Sequence, residues 1–139
     1  MRTMGLDLGT RTIGVAVSDE LGLTAQAVTT IRRRSPTADL SELNRLADAL
    51  EVERWVVGLP LNMNGTEGPK AAQARDFGAV LERNSGRPVE FWDERLSTRA
   101  AERALLEADL SRSKRRGVID RVAAVIILQG WLDSARGAR

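Results

Sequence analysis

The chain has 139 residues, of which 42% are hydrophobic and 29% are charged, and its formal net charge is +2. It contains no histidine and no cysteine, which excludes Ser-His-Asp catalysis, thiolate chemistry, disulfides and the usual histidine-containing zinc sites. No stretch is apolar enough to span a bilayer, and no signal-peptide pattern opens the chain, so a cytoplasmic protein with one domain (1–139) and a disordered tail (135–139) is expected.

The first stretch of interest, residues 4–18, alternates with period two and predicts two strands joined by a turn at residues 9–12. On the first strand Asp7 shares a face with Gly5 and Gly9, while apolar residues occupy the other face. A buried carboxylate needs a hydrogen bond, a cation or a metal. The glycines leave room beside Asp7 for an ion or a phosphate. The alternative is an Asp7 satisfied by a neighbouring backbone group or arginine.

Alternating strands and helices follow this hairpin. Residues 23–31 are rich in Thr, Val and Ala and predict a third, antiparallel strand. Ser35 and Pro36 mark the start of a helix whose apolar stripe leaves Asp39 off the buried face. Residues 55–59 then predict a strand buried on both faces, parallel to an earlier one.

The second half continues the alternation. After the loop 60–69, Thr66 or Glu67 is expected to cap a second helix, and residues 89–92 form a fifth strand. Ser97 or Thr98 is expected to cap a third helix. The polar segment 109–117 is expected to be exposed and mobile, and the last helix to run from about Val118 to Ser134. The pattern predicts one mixed sheet covered by helices.

Basic residues cluster in two runs, residues 32–34 and 112–116, and the sequence pI is about 9.9. One run of arginines can simply solvate a surface. Two runs in a basic chain favour a polyanionic partner.

Four acids are predicted to approach the edge where the parallel strands end: Asp7, Asp93, Glu94 and Asp120. Each has a simpler explanation. Asp120 could complement a helix dipole, and Glu94 or Asp93 could be a turn residue paired with Arg95. Together they form an oxygen-only set suited to two Mg²⁺ or Mn²⁺ ions in phosphodiester hydrolysis.

Four segments in order resemble the signature blocks of the YqgF/RuvX family, namely residues 7–16, 58–66, 93–98 and 119–124. The resemblance extends from about Arg2 to Asp133. It implies an α/β, RNase H-like fold with a five-stranded mixed sheet, the first three strands antiparallel, flanked by helices. It also implies a nuclease for the 5′ end of precursor 16S rRNA in ribosome biogenesis, or a Holliday junction resolvase acting on branched DNA.

The resemblance further implies that Asp7, Glu94 and Asp120 are the catalytic, metal-holding acids, with Mg²⁺ or Mn²⁺ as cofactor. Related resolvases carry an acid at the end of the fourth strand, where this chain has Gly58. Glu94 must then reach across from the fifth strand. Thr12 stands where the family usually has a basic residue, which affects the details of substrate contact.

Seven residues are expected to contact nucleic acid: Arg11, Asn62, Asn64, Arg112, Lys114, Arg115 and Arg116. Asn64 replaces an aspartate that is common in the family. The expected partner is precursor rRNA or branched DNA, no membrane is expected, and a homodimer is left open. Two other classes compete with the nuclease: an ATP-binding protein of the actin and sugar-kinase type, which needs a second similar domain, and a module that binds nucleic acid without cutting it.

Overall fold

The computed structural model describes residues 1–95 and 112–137 of the chain. Its strands are β1 (Arg2–Leu8), β2 (Thr12–Ser18), β3 (Ala25–Arg32), β4 (Val52–Leu59) and β5 (Val89–Asp93). Its helices are α1 (Pro36–Ala49), α2 (Pro69–Ser85) and α3 (Arg112–Gly137). The helix predicted to begin at Ser97 or Thr98 lies outside the described residues. Of the described helices, none combines the length and apolarity that crossing a membrane requires.

The five strands form one sheet in the order β3-β2-β1-β4-β5. β2 is antiparallel to both β1 and β3, whereas β4 is parallel to both β1 and β5. The predicted mixed sheet is therefore confirmed, with β1 at its centre. The carboxyl ends of β1, β4 and β5 meet at one edge, which we call the carboxyl edge.

Helices cover both faces of the sheet. On one face, the α1 side, Leu43 and Trp55 belong to a core of fully buried residues. On the other face α3 packs Ile127 and Leu128 against the sheet. A Cβ atom on Gly5 would lie 2.7 Å from the Cβ of Leu128. The space beside Gly5 is therefore filled by α3, and not available to an ion as the sequence suggested.

The two helix starts differ in how well they were predicted. Ser35 caps α1 as expected, its hydroxyl accepting a hydrogen bond from the Ala38 N–H at 3.1 Å. The predicted caps of α2 are wrong, since its N-cap is Gly68, which has no side chain to offer. Thr66 instead donates its hydroxyl to Asn64 within the loop, and Glu67 forms an ion pair with Arg75.

The last helix is longer at both ends than the sequence suggested. Residues 112–117 are helical, so the prediction that the last helix begins near Val118 is wrong. Arginine and lysine are good helix formers, and the one interruption, Gly117, costs only about 1 kcal/mol. At the other end the helix continues through Gly137, beyond the predicted end near Ser134.

Candidate active site

Asp7 lies near the end of β1, flanked across the sheet by glycines. It pairs with Gly14 of β2. On the other side Leu6 pairs with Val57 of β4, which puts Asp7 beside Gly58. Neither neighbour has a side chain, so the half-buried carboxylate of Asp7 has room for other groups beside it on the α3 side of the sheet. The glycines along β1 were evident from the sequence, whereas these two glycines across from Asp7 were not.

Glu94 follows β5 and is held by its backbone against β4. Its N–H donates to the Leu59 carbonyl at 3.3 Å. A Cβ atom on Gly58 would overlap Oε2 of Glu94 and lie 2.6 Å from Cδ1 of Ile127. The carboxylate of Glu94 therefore reaches across to β4, as expected for a chain with glycine at position 58.

The electrostatics of Glu94 show that it shares its surroundings with Asp7. Burial raises the pKa of Glu94 to about 7, and the negative charges of Asp7 and Asp93 contribute to the rise, while Lys70 opposes it. Coulombic coupling weakens with distance. Burial therefore disfavours the charged form of Glu94 most, and the nearby charge of Asp7 disfavours it further.

Asp93, the acid next to Glu94 in the chain, is paired with Arg95. Its Oδ2 accepts from Nε of Arg95 at 2.8 Å, and its Oδ1 accepts from the Arg95 N–H at 3.0 Å. The hydrogen bond to the Arg95 guanidinium lowers the pKa of Asp93. Arg95 also donates to the Met63 carbonyl at 3.4 Å, which ties the end of β5 to the loop after β4. The arginine pairing considered for either acid thus belongs to Asp93, and Glu94 is left for the site.

Asp120 lies in α3, close to the point where that helix approaches the carboxyl edge. α3 runs against the direction of β4, because Trp131 lies against Arg54 at the start of the strand and Ile127 against Gly58 near its end. Position 120 is two turns before Ile127, about 10 Å further toward the carboxyl edge. The side chain of Asp120 lies outside the described residues.

The donor set fits a hard divalent cation. Asp7 and Glu94 offer only carboxylate oxygens, and a cation would stabilise the charged form of Glu94 against burial and the charge of Asp7, which together raise its pKa. Within residues 1–95 and the described side chains of α3, no three acids form a group that could hold a metal ion. A third ligand would have to come from elsewhere, and Asp120 is the sequence-predicted candidate.

The predicted nucleic-acid contacts fall into three places. Asn62 and Asn64 organise the loop after β4, since both side chains are hydrogen-bonded to Thr66. Arg11 is exposed in the turn between β1 and β2. The basic residues 112–116 lie in the first described turns of α3, and their side chains are outside the described residues.

Sequence reasoning missed a cleft beside the acids. It has a volume of about 640 Å³ and is lined by the β1–β2 turn, the connection from β3 to α1, the first turns of α2, and Glu94. Asp39, predicted to lie off the buried face of α1, is 2% exposed and forms part of the cleft. In the sequence, the run of arginines just before Ser35 was the one feature that could have indicated this cleft.

Comparisons with known proteins cover nearly the whole chain. The sequence profile of the family described as "RuvX: Holliday junction resolvase" matches residues 1–134. A curated relative from Myxococcus xanthus, named "Putative pre-16S rRNA nuclease", is 64% identical over 98% of this chain and 90% of its own length. A relative of the same name from Symbiobacterium thermophilum is 63% identical over 100% of this chain and 96% of its own.

Solved structures share the fold at low identity. Thermus thermophilus RuvC in complex with a Holliday junction aligns with a TM-score of 0.61 at 17% identity, covering 99% of this chain and 96% of its own. The fowlpox virus Holliday junction resolvase aligns with a TM-score of 0.58 at 12% identity, covering 97% of this chain and 99% of its own.

Proposed function

This chain belongs to the RuvX family of Holliday junction resolvases, and from that membership we propose that it is a metal-dependent nuclease that trims precursor 16S rRNA in the cytoplasm. The names of its relatives, 64% and 63% identical, support the RNA substrate. The family is one of nucleic-acid hydrolases and not of phosphotransferases, which argues against the actin and sugar-kinase alternative.

The observation that carries the proposal is the coupling of Asp7 and Glu94 at the carboxyl edge. Burial first, and the charge of Asp7 second, raise the pKa of Glu94 to about 7, and a carboxylate held in such surroundings is costly in a merely structural role. The glycine at position 58 leaves the space that this arrangement needs. A pair of carboxylates like Asp7 and Glu94 is expected at a site that binds a divalent cation.

Asp7 and Glu94 would hold Mg²⁺ or Mn²⁺, with Asp120 as the third proposed ligand. Bound at this site, a pair of such ions would activate the attacking water and stabilise the leaving oxygen of the phosphodiester. The residues themselves supply position and charge. Glu94 is held by its backbone hydrogen bond to Leu59, and Asp7 by the centre of the sheet. With no histidine in the chain, no imidazole is available as general base.

A cleavage assay tests the proposal directly. Wild-type protein would be incubated with a precursor 16S rRNA fragment, a four-way DNA junction and single strands, each with Mg²⁺, with Mn²⁺ or with EDTA. We expect metal-dependent cutting of the RNA precursor by the wild type and none by Asp7→Asn. Asp76→Asn, which removes an exposed carboxylate from α2, is the matched control and should cut normally.

Resolution of four-way junctions is the second candidate, because the family that matches residues 1–134 is described by that activity. Paired, symmetric nicks in the DNA junction with no cutting of the RNA would favour it. Cutting by Asp7→Asn at the wild-type rate would show that the active-site assignment is wrong. Metal-independent binding of every substrate without cutting would instead favour the non-cleaving module.

A further inference from the structure

The cleft beside Glu94 lies outside the seven predicted nucleic-acid contacts. Its walls come from Gly9 and Thr10 in the β1–β2 turn, Arg33 and Arg34 before α1, and Lys70 in the first turn of α2. Its volume of about 640 Å³ lies within the range of roughly 300–1,000 Å³ that is typical of small-ligand pockets. A nucleotide-sized group fits such a space, whereas a duplex does not.

A buried acid holds the basic wall of this cleft in position. Asp39 is 2% exposed, and its Oδ1 accepts from the Arg34 N–H at 3.0 Å. Its Oδ2 lies 3.5 Å from Nε of Arg33. A buried carboxylate is tolerated only when it is paired and hydrogen-bonded. Asp39 therefore fixes both the backbone of the connection and the side chain of Arg33.

Arg33 is committed to the structure of the cleft. Its Nη1 donates to the Gly9 carbonyl at 2.8 Å, and its guanidinium lies 5.5 Å from the centroid of the Phe77 ring. The same side chain thus joins the β1–β2 turn, α1 and α2. Because Asp39 balances its charge, Arg33 contributes little net attraction for an anion.

Arg34 and Lys70, unlike Arg33, are not paired with an acid in the described part of the chain. Both side chains line the cleft and both residues are exposed. Neither forms an ion pair with another residue in the described part of the chain. Lys70 and Glu94 line the same cleft. Arg34 and Lys70 thus line a cleft that reaches Glu94, one of the proposed catalytic acids.

We propose that this cleft binds backbone phosphates of the single strand being cut, through Arg34 and Lys70, with Asp39 and Arg33 as its rigid support. The inference rests on the proposed function and adds a second contact surface, on the opposite side of the carboxyl edge from α3. The strand would pass from the cleft over Asp7 and Glu94 toward the basic start of α3. Phosphate groups are the shared chemistry, and a free nucleotide is the other possible source of them.

Binding of a short labelled single-stranded RNA, measured in EDTA to prevent cleavage, distinguishes a nucleic-acid strand from a free nucleotide as the ligand of the cleft. Arg34→Gln and Lys70→Gln are each measured across about 50–200 mM salt. Each should weaken binding and lower the slope of log K against log salt by about 0.7. Arg83→Gln, an equal loss of charge at the far end of α2, is the matched control and should bind like the wild type. AMP should compete only weakly with the RNA.

Three outcomes would overturn the inference. If both cleft variants keep the wild-type slope while the wild type binds and cuts RNA, the cleft does not bind the strand. The proposed nuclease function would still stand. Tight AMP binding that is lost in Arg34→Gln, with RNA binding unaffected, would make the cleft a nucleotide pocket. If the wild type binds no single strand at all, both the proposed nuclease function and the proposed role of the cleft are wrong.

Discussion

The carboxylate of Glu94 occupies the volume that a side chain at position 58 would fill. A Cβ atom there would overlap Oε2 of Glu94 and lie 2.6 Å from Cδ1 of Ile127. Glycine in the middle of a sheet weakens it, and often marks a place where another group approaches closely. Here the approaching group is the acid that β5 sends across to β4.

Gly58→Ala should therefore impair catalysis more than folding. The far end of Glu94 can swing away from a methyl group at modest cost, but the carboxylate then leaves its position beside Asp7. A misplacement of about 1 Å can cost on the order of 100-fold in rate. We expect a decrease of that size in kcat for RNA cleavage, with a smaller change in melting temperature.

Val57→Ala is the control for this variant. Val57 is fully buried in the core on the α1 side, so its truncation destabilises β4 without touching Glu94. It should lower the melting temperature yet keep near-normal kcat at a temperature where the protein is folded. Equal decreases of activity in the two variants would mean that general damage to β4 is the cause.

The pH dependence of stability should reveal the raised pKa of Glu94. Its pKa is about 7 in the folded protein against 4.5 ordinarily, so between these values the folded state holds a proton that the unfolded state has lost. The wild type then loses stability as pH rises from about 4.5 to about 7. Without metal, Glu94→Gln should be more stable than wild type by about 3 kcal/mol at pH 8 and no more stable at pH 4.

Denaturant unfolding at the two pH values measures this difference. Glu53→Gln, which changes an exposed glutamate of β4, serves as the comparison. Asp7→Asn should also lower the pKa of Glu94 in an NMR titration, because the charge of Asp7 contributes to the rise. A difference between wild type and Glu94→Gln that is the same at both pH values would contradict the predicted titration.

Metal binding should stabilise the wild type through the three proposed acids. Mg²⁺ or Mn²⁺ binds the folded protein only, and at a concentration 100 times the Kd this adds about 2.7 kcal/mol. The triple variant Asp7→Asn, Glu94→Gln, Asp120→Asn should melt higher than wild type in EDTA and not respond to metal. If Mn²⁺ raises its melting temperature as much as that of the wild type, the ion binds elsewhere.

Neutralising the basic start of α3 should weaken substrate binding. With Arg112, Lys114, Arg115 and Arg116 all changed to Gln, the log–log salt slope for a single strand should fall by up to about 0.7 for each phosphate that these side chains neutralise in the wild type. Fluorescence titrations over a range of salt concentrations measure it. An unchanged slope would show that the strand does not follow α3, whatever the cleft variants show.

Much of the fold could be predicted from the sequence because its signals are local. The period-two pattern of residues 4–18 and the Ser35-Pro36 start of α1 are confirmed as β1, β2 and a capped helix. The mixed sheet was predicted from the order of strands and helices, the family resemblance implied the same topology, and the observed strand order agrees with both. The predicted caps of α2 are wrong because the Thr66 hydroxyl is hydrogen-bonded to Asn62 and Asn64 within its own loop. Sequence spacing alone does not reveal that these partners compete with the helix for Thr66.

The sequence by itself determined that Asp7 lies in a glycine-rich strand leading to the carboxyl edge, because strand alternation and chain order suffice for that. The resemblance implied Glu94 as the acid of the site, but only the tertiary structure showed that Arg95 pairs with Asp93 while the carboxylate of Glu94 lies over Gly58. It also decided that Asp39 is buried beside Arg33 and that a cleft opens there. Glu94 meets Gly58 from a different strand, and the bond from Arg33 to the Gly9 carbonyl spans 24 residues of chain. No periodicity in the sequence encodes such contacts.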